Sequence, residues 1–460
     1  MNRSDCSTFA LKRNGKIDWF KSLAILIPIA WAVVTVSLYY PGVWTNDTLR
    51  QTSEALSGSY NNWKPTLHTW LLGVLERSIT GHGIGISFVI QIIAFAVSVM
   101  AIAQYYMQRC KYYALLVLIL PLFFTETCML VTTVGNDELA ASCYLLYIAG
   151  VLWATKHENK AQRYVLLCLV WGILGFGMVL RHNAIPCVAL LAAWGVWKCG
   201  IRGCVRIGAF SSLYVIVALL ANCFLTYVVL KAEASYPLRF PLAADYVNLS
   251  IMEGKWLPLA AHDKSKMQKA PHECVMLAAD CVNRYSPIDP YIMYEDENKR
   301  VRDYTLLKEA WINAVLSHPE RYCCIKLFFF HQFLLQGRCV PWLCEAIRGK
   351  YPHVQIFMEK QSRDWRAWVN RGFLVMSIIP LSCYVLLFVA CIKARLWLLQ
   401  SEARLDAAVF MAVALVYTSS FLLLVLSATE FRFYIIRSTL CCVGGGLILL
   451  SMLEKRHSHT

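Results

Sequence analysis

The chain is 460 residues long, 58% hydrophobic and only 16% charged, with a formal net charge of +15 and a mean hydropathy of +0.49. A soluble domain carries about 25% charged residues, so the composition excludes an ordinary water-soluble enzyme and points to an all-α polytopic membrane protein. No barrel-type alternation is visible. The basic residues sit in short loops instead of on one soluble face, so the charge reads as a topology signal and no nucleic-acid partner is expected.

The N-terminus carries Arg3, Lys12, Arg13, Lys16 and Lys21. The apolar run from Ser22 to Tyr40 is too long for a signal-peptide core, and no small-x-small site follows it, so it reads as a retained first helix. Further runs predict a bundle of about ten transmembrane helices, near 22–40, 84–104, 112–131, 138–155, 164–180, 184–198, 208–230, 371–392, 405–426 and 434–452. One set of loops carries Lys and Arg (Arg109, Lys156, Arg163, Lys198, Arg202, Lys393 and Lys455 among them); the alternate set is poorer in both per loop. The positive-inside rule then predicts an integral inner-membrane protein with both termini cytoplasmic. The 41–82 loop, the turns at Asn136, Arg181 and Glu430, and the segment 231–370 fall outside. The span 184–198 is the shortest, and losing it would invert everything downstream.

Three regions follow: a transmembrane module at 1–230 with its first outer loop at 41–82, an extracytoplasmic subdomain at 231–370, and C-terminal transmembrane helices at 371–460. The middle region is not low-complexity. It holds Trp256, Trp311, Trp342 and Trp365, and from Arg302 to Phe330 it has helical apolar spacing with a break at Pro319. Of the 19 cysteines, most lie in apolar runs, as Cys168, Cys187, Cys223 and Cys391 do, where they read as small apolar fillers. Cys274–Cys281 and Cys339–Cys344 are candidate disulfides if 231–370 is outside, although spacing does not fix the pairing.

The first outer loop, PGVWTNDTLRQTSEALSGSYNNWKPTLHTW from Pro41 to Trp70, concentrates polar and aromatic residues where they are costly beside lipid unless they build a site. Asp47 stands just beyond the first helix. It would make a good helix N-cap, and at a membrane boundary it could equally serve as general base for a sugar hydroxyl. Lys64 and His68 are the loop's basic candidates. No second His or Cys stands at a ligand spacing from His68, so a zinc site is not read there. Asn136-Asp137-Glu138 places two acids at the start of a helix, where they would complement the dipole or face the same cavity as Asp47. Two adjacent acids leave room for a divalent metal without requiring one. Arg181-His182-Asn183 interrupts an apolar stretch as either a plain hairpin or an arginine aimed at a lipid phosphate. Glu430 and Arg432 form the last outer turn, with Arg437 one helical turn beyond; snorkelling accounts equally for Arg432. No P-loop, dinucleotide glycine pattern or Ser-His-Asp order is present. The inner loops are too short for a nucleotide-sugar domain, which favours a lipid-linked donor.

The order of these motifs carries a resemblance. W-K-P-T-L-H-T-W follows the Asp47 loop, then come the acid pair, L-R-H-N-A-I-P, A-A-D-Y-V-N-L-S, S-H-P-E-R-Y and E-F-R-F-Y. Taken together they resemble the bacterial GT-C glycosyltransferases of the protein-mannosyltransferase and aminoarabinose-transferase type, over most of the chain. The resemblance implies a polyprenyl-phosphate sugar donor, a glycan, lipid or protein acceptor, Asp47 as catalytic base, and Asp137, with Glu138, as the second-loop acid. Asn136-Asp137 stands where many relatives have a basic residue before the acid. Arg181 and Arg432 become candidates for the donor phosphate. Two other classes share the composition: an O-antigen polymerase or ligase, centred on arginines of 231–370, and a lipid-linked glycan flippase, for which Glu126 beside Pro121 is the best mid-span signal.

Overall fold

The computed structural model describes residues 19–107, 114–257, 297–335, 402–425 and 439–448, with short breaks inside the first two, and a two-stranded ribbon pairing Lys12–Arg13 with Lys16–Ile17. Apart from that ribbon, every regular element among the described residues is helical. The elements are α1 Trp19–Tyr39, α2 Asn46–Ser57, α3 Thr66–Ser78, α4 Gly83–Met107, α5 Ala114–Phe123, α6 Asn136–Ala154, α7 Lys160–Leu180, α8 Ile185–Lys198 and α9 Cys204–Cys223. They continue with α10 Arg239–Glu253, α11 Glu297–Ser317, α12 Pro319–Leu335, α13 Glu402–Val425 and α14 Thr439–Ile448.

Five of these (α1, α4, α6, α7 and α9 with its extension to Val229) are long and apolar enough to cross a membrane, and the chain is a multi-pass membrane protein. Within the 112–131 run the structure describes α5, with Pro121 inside it, and helical backbone again at Thr127 and Val131. By Thr132 to Val134 the chain has left the helix. α8 has 14 residues, and the described part of the last span is Thr439–Ile448. The 371–392 span lies outside the described residues.

α6 is the hub. In its apolar window 83% of residues are buried, against 6% for α9, so α6 is wrapped by its neighbours while α9 presents an apolar flank. Tyr144 and Tyr147 of α6 donate to the carbonyls of Gly177 and Leu191, tying α6 to α7 and α8. Asn159 starts α7 by accepting from the backbone N–H groups of Ala161 and Gln162, which satisfies two donors the first turn would otherwise leave open.

The loop alternation read from the sequence has a geometric counterpart. Lys156, Arg163, Lys198 and Arg202 gather at one end of the bundle. There Lys156 donates to the Tyr105 carbonyl and lies over its ring, Arg163 donates to the Cys199 carbonyl, and Arg202 lies over Trp197. Lys198 makes a buried ion pair with Asp406 at 2.8 Å, and Asp406 also accepts from Tyr106 and Trp194. α8 therefore reaches the basic end from the Arg181 turn despite its length. Cys187 is buried as expected of a filler, but Cys168 and Cys223 lie on exposed helix faces; Cys391 lies outside the described residues. Flank positions on α7 and α9 need only be apolar, and cysteine meets that requirement without being packed.

In the middle region α11 and α12 meet at His318-Pro319, where the sequence places a break, and Pro319 opens α12. α10 ends on Gly254, whose φ of +68° is the left-handed conformation glycine adopts without a Cβ penalty. Asp245 of α10 is buried and receives Lys326 at 2.8 Å together with Trp311 and Tyr322. Burial raises its carboxyl pKa, opposed by the Lys326 ammonium and these hydrogen bonds. Glu253 pairs with His318 and Arg321. The A-A-D-Y and S-H-P-E-R-Y motifs thus lock α10 to α11 and α12. Trp256, Trp342, Trp365 and the cysteines at 274, 281, 339 and 344 lie outside the described residues.

Candidate functional site

The opposite end of the bundle carries the candidate site, and a short pairing of two extended segments builds it. After α1 the chain turns at Gly42, whose φ of +93° and close approach to Val134 and Phe88 leave no room for a Cβ. Val43 then pairs in parallel with Thr133. Its N–H donates to the Thr132 carbonyl, and its carbonyl accepts from the Val134 N–H, each at 2.9 Å. On the other side Gln91, buried in α4, donates to the carbonyls of Val131 and Thr133 at 2.7 and 2.9 Å. Non-helical backbone within a membrane bundle must find such partners internally, and Gln91 supplies them.

This pairing seats the starts of α2 and α6 side by side. Thr48 fixes the arrangement by donating to the Val134 carbonyl at 2.6 Å. The register is informative. The offset that pairs Val43 with Thr133 also matches Asn46-Asp47 to Asn136-Asp137 and Leu49 to Leu139, so each acid is the second residue of its helix. Paired backbones lie about 4.8 Å apart, and each acid follows its paired residue by four positions. The sequence alone shows this Asn-Asp-x-Leu echo only to a reader who already knows which residues pair.

Around Asp137 the charges are dense and buried. Arg181 Nε stands 2.6 Å from Asp137 Oδ1, with the side chains 12% and 2% exposed. Lys64, half-buried at the entry to α3, and Arg181 both bear electrostatically on Asp137. Tyr417 of α13 bonds the same arginine, a contact across more than two hundred residues that no local pattern announces. Asn136 donates to the Leu180 carbonyl at 3.1 Å, closing α6 onto the end of α7. Glu138 folds its carboxylate over Gly135, as an acid at a helix N-terminus is expected to do. Its Oε1 is buried without a hydrogen-bond partner.

His68 has no exposed surface. Its Nδ1 meets Gln51 Oε1 at 3.1 Å, and Gln51 in turn donates to Thr69, so the histidine holds α3 against α2. Burial lowers its pKa from 6.5 to about 4, which keeps the ring neutral. Its Nε2 lacks a hydrogen-bond partner.

A polar cleft opens beside this cluster. The turn after α2 docks on the segment that follows α9. Asn61 pairs with Glu233, Asn62 accepts from the N–H and hydroxyl of Ser235 at 2.6 Å each, and Asn62 donates to Tyr227. The segment reaches this position because α9 continues as a π-helical turn, Phe224–Val229, closed by Leu230 N–H on the Leu225 carbonyl. The cleft encloses about 360 Å³.

The structure therefore brings together the helix start bearing Asp47 with Asp137, Glu138, Arg181 and Lys64, and places His68 behind them. His182, Asn183, Glu430, Arg432, Arg437 and Glu126 lie outside the described residues. Among the described residues no three His, Cys, Asp or Glu side chains gather as metal ligands. Comparison with protein-family models, with curated sequences and with solved structures finds no match.

Proposed function

We propose that the chain is a membrane glycosyltransferase that moves a sugar from a polyprenyl-phosphate donor to a cell-envelope acceptor on the extracytoplasmic face. The observation that supports it is the in-register seating of the Asp47 and Asp137 helix starts beside Arg181 and Lys64 at the end of the bundle away from the basic belt. By the positive-inside rule that end is extracytoplasmic, the face where lipid-linked donors and envelope acceptors meet.

The chemistry asks for two things there. The acceptor hydroxyl must lose its proton as it attacks the anomeric carbon, which Asp47 performs as general base. The leaving lipid phosphate departs as a stable anion, and the positive charge of Arg181 and Lys64 holds it. Attack opposite the phosphate inverts the anomeric centre, so no second carboxylate is needed as covalent nucleophile. Asp137, bonded to Arg181, orients that cation.

The test is mass analysis of cell-envelope glycans with the gene present, deleted, or carrying Asp47→Asn. Asn keeps the size of the side chain and removes the charge, so transfer should fall about 10²–10⁴-fold. Near-normal transfer by Asp47→Asn with an inactive Asp137→Asn would move the base to Asp137. Unchanged glycans on deletion would remove the reading altogether.

A further inference from the structure

We infer that the cleft beside α2 is a saccharide subsite for a neutral or amine-bearing acceptor, and that it does not take an anionic one. The word acceptor rests on the transferase reading above; saccharide binding does not, and is measured without a donor.

The lining is polar throughout. Arg50, Ser53, Glu54 and Ser57 come from α2, and the facing wall is built by Ser59, Asn61, Glu233 and Ser235. With no aromatic or aliphatic side chain among them, the cleft offers nothing to a lipid tail. Its hydroxyls both donate and accept, and its carboxylates accept from paired donors, which is the complement of a polyol. The volume equals about a dozen waters and stands at the small end of ligand pockets, a fit for one or two sugar rings.

Charge narrows the choice. Arg50 Nε pairs with Glu54 Oε1 at 2.9 Å, and the same oxygen accepts from Asn61 at 2.6 Å. Glu54 Oε2 is buried with no hydrogen-bond partner. A carboxylate oxygen in that position costs free energy until a donor meets it, and a sugar hydroxyl or an ammonium group is such a donor. The lining holds two carboxylates, Glu54 and Glu233, and one guanidinium, Arg50. A phosphate or uronate would face two glutamates against one committed arginine.

Position ties the cleft to the chemistry. Asp47, Arg50 and Glu54 are spaced i, i+3 and i+7, one face of α2. At 1.5 Å per residue Glu54 lies about 10 Å along the axis from Asp47. A disaccharide held at the Glu54 end therefore reaches the first turn of the helix, where the general base stands.

The experiment uses the full chain in lipid nanodiscs, with saturation-transfer NMR of maltose, glucosamine and glucuronate at millimolar concentration. Maltose and glucosamine should bind and compete with each other, and glucuronate should bind at least tenfold more weakly. Ser53→Trp and Ser235→Leu, on opposite walls, should each abolish binding in monodisperse protein. Should either fail to fold, Glu54→Gln keeps the shape and the acceptor for Asn61 and should weaken glucosamine by roughly tenfold or more. The inference is overturned if neither maltose nor glucosamine binds, if binding survives these substitutions, or if glucuronate matches glucosamine. Binding that disappears while Asp47-dependent transfer persists would sink the subsite alone. Binding that persists while Asp47→Asn transfers normally would sink the Asp47 assignment and leave a saccharide site.

Discussion

Arg181 has been assigned to a leaving phosphate, but its first partner is Asp137, and that pairing predicts a large effect on stability. The two side chains are 2.6 Å apart and 12% and 2% exposed. Solvent does not screen a pair in that position as it would a surface pair. Asp137→Ala leaves the guanidinium in a buried site with its main counter-charge removed, and Arg181→Ala does the same to the carboxylate. Breaking one side of a buried ion pair costs about 3–5 kcal/mol. Replacing both, in Asp137→Ala/Arg181→Ala, strands neither charge, so the double variant should lose much less than the sum of the two singles, with a coupling of about 2 kcal/mol or more. The assay is denaturant unfolding in mild detergent, followed by the fluorescence of the 15 tryptophans. Single variants within about 0.5 kcal/mol of wild type, or an additive cycle, would refute the reasoning. Arg181 would then be available to a ligand without structural cost. If the coupling is found, any loss of donor affinity in Arg181→Ala must be read against the loss of fold.

His68 predicts an acid sensitivity. Its folded pKa of about 4 lies below the ordinary 6.5, so its contribution is complete above pH 6.5 and is lost as pH falls towards 4, amounting to about 3 kcal/mol. The denaturation midpoint should fall across that window in wild type and much less in His68→Leu; equal falls would acquit the histidine. At the basic end, Asp406→Asn should destabilise by about 3–5 kcal/mol because Lys198, 4% exposed, loses its counter-ion. Adding Lys198→Met should restore most of the loss in the same unfolding assay, and a double variant no better than the single would refute the clamp.

What was legible in the sequence was local. Apolar runs gave the starts of α1, α4, α6 and α7 to within a few residues, and the break before Pro319 was visible because proline acts on its own neighbourhood. Asp47, Asp137 and Arg181 stood out as polar residues among apolar ones, but nothing local said that Val43 would pair with Thr133. His68 drew notice for its setting in W-K-P-T-L-H-T-W; its partner, Gln51, sits in another helix. Tyr417 and the wall of the cleft were invisible for the same reason. A tyrosine in an apolar span and a serine after a span have no pattern that names a contact across the fold.

The π turn at Phe224–Val229 has a consequence for how this chain tolerates change. A π turn holds one residue more than the α turn it replaces, and each residue of an α-helix advances the chain by about 100°. Losing a single residue there would let that turn close as an α turn and leave everything beyond it facing nearly the same way, whereas losing one from the regular part of α9 would swing everything beyond it by about 100°. Ser235 would be carried away from Asn62, and Glu233 from Asn61. In α9 the reading frame of the helix, more than the identity of its side chains, aims the far wall of the cleft.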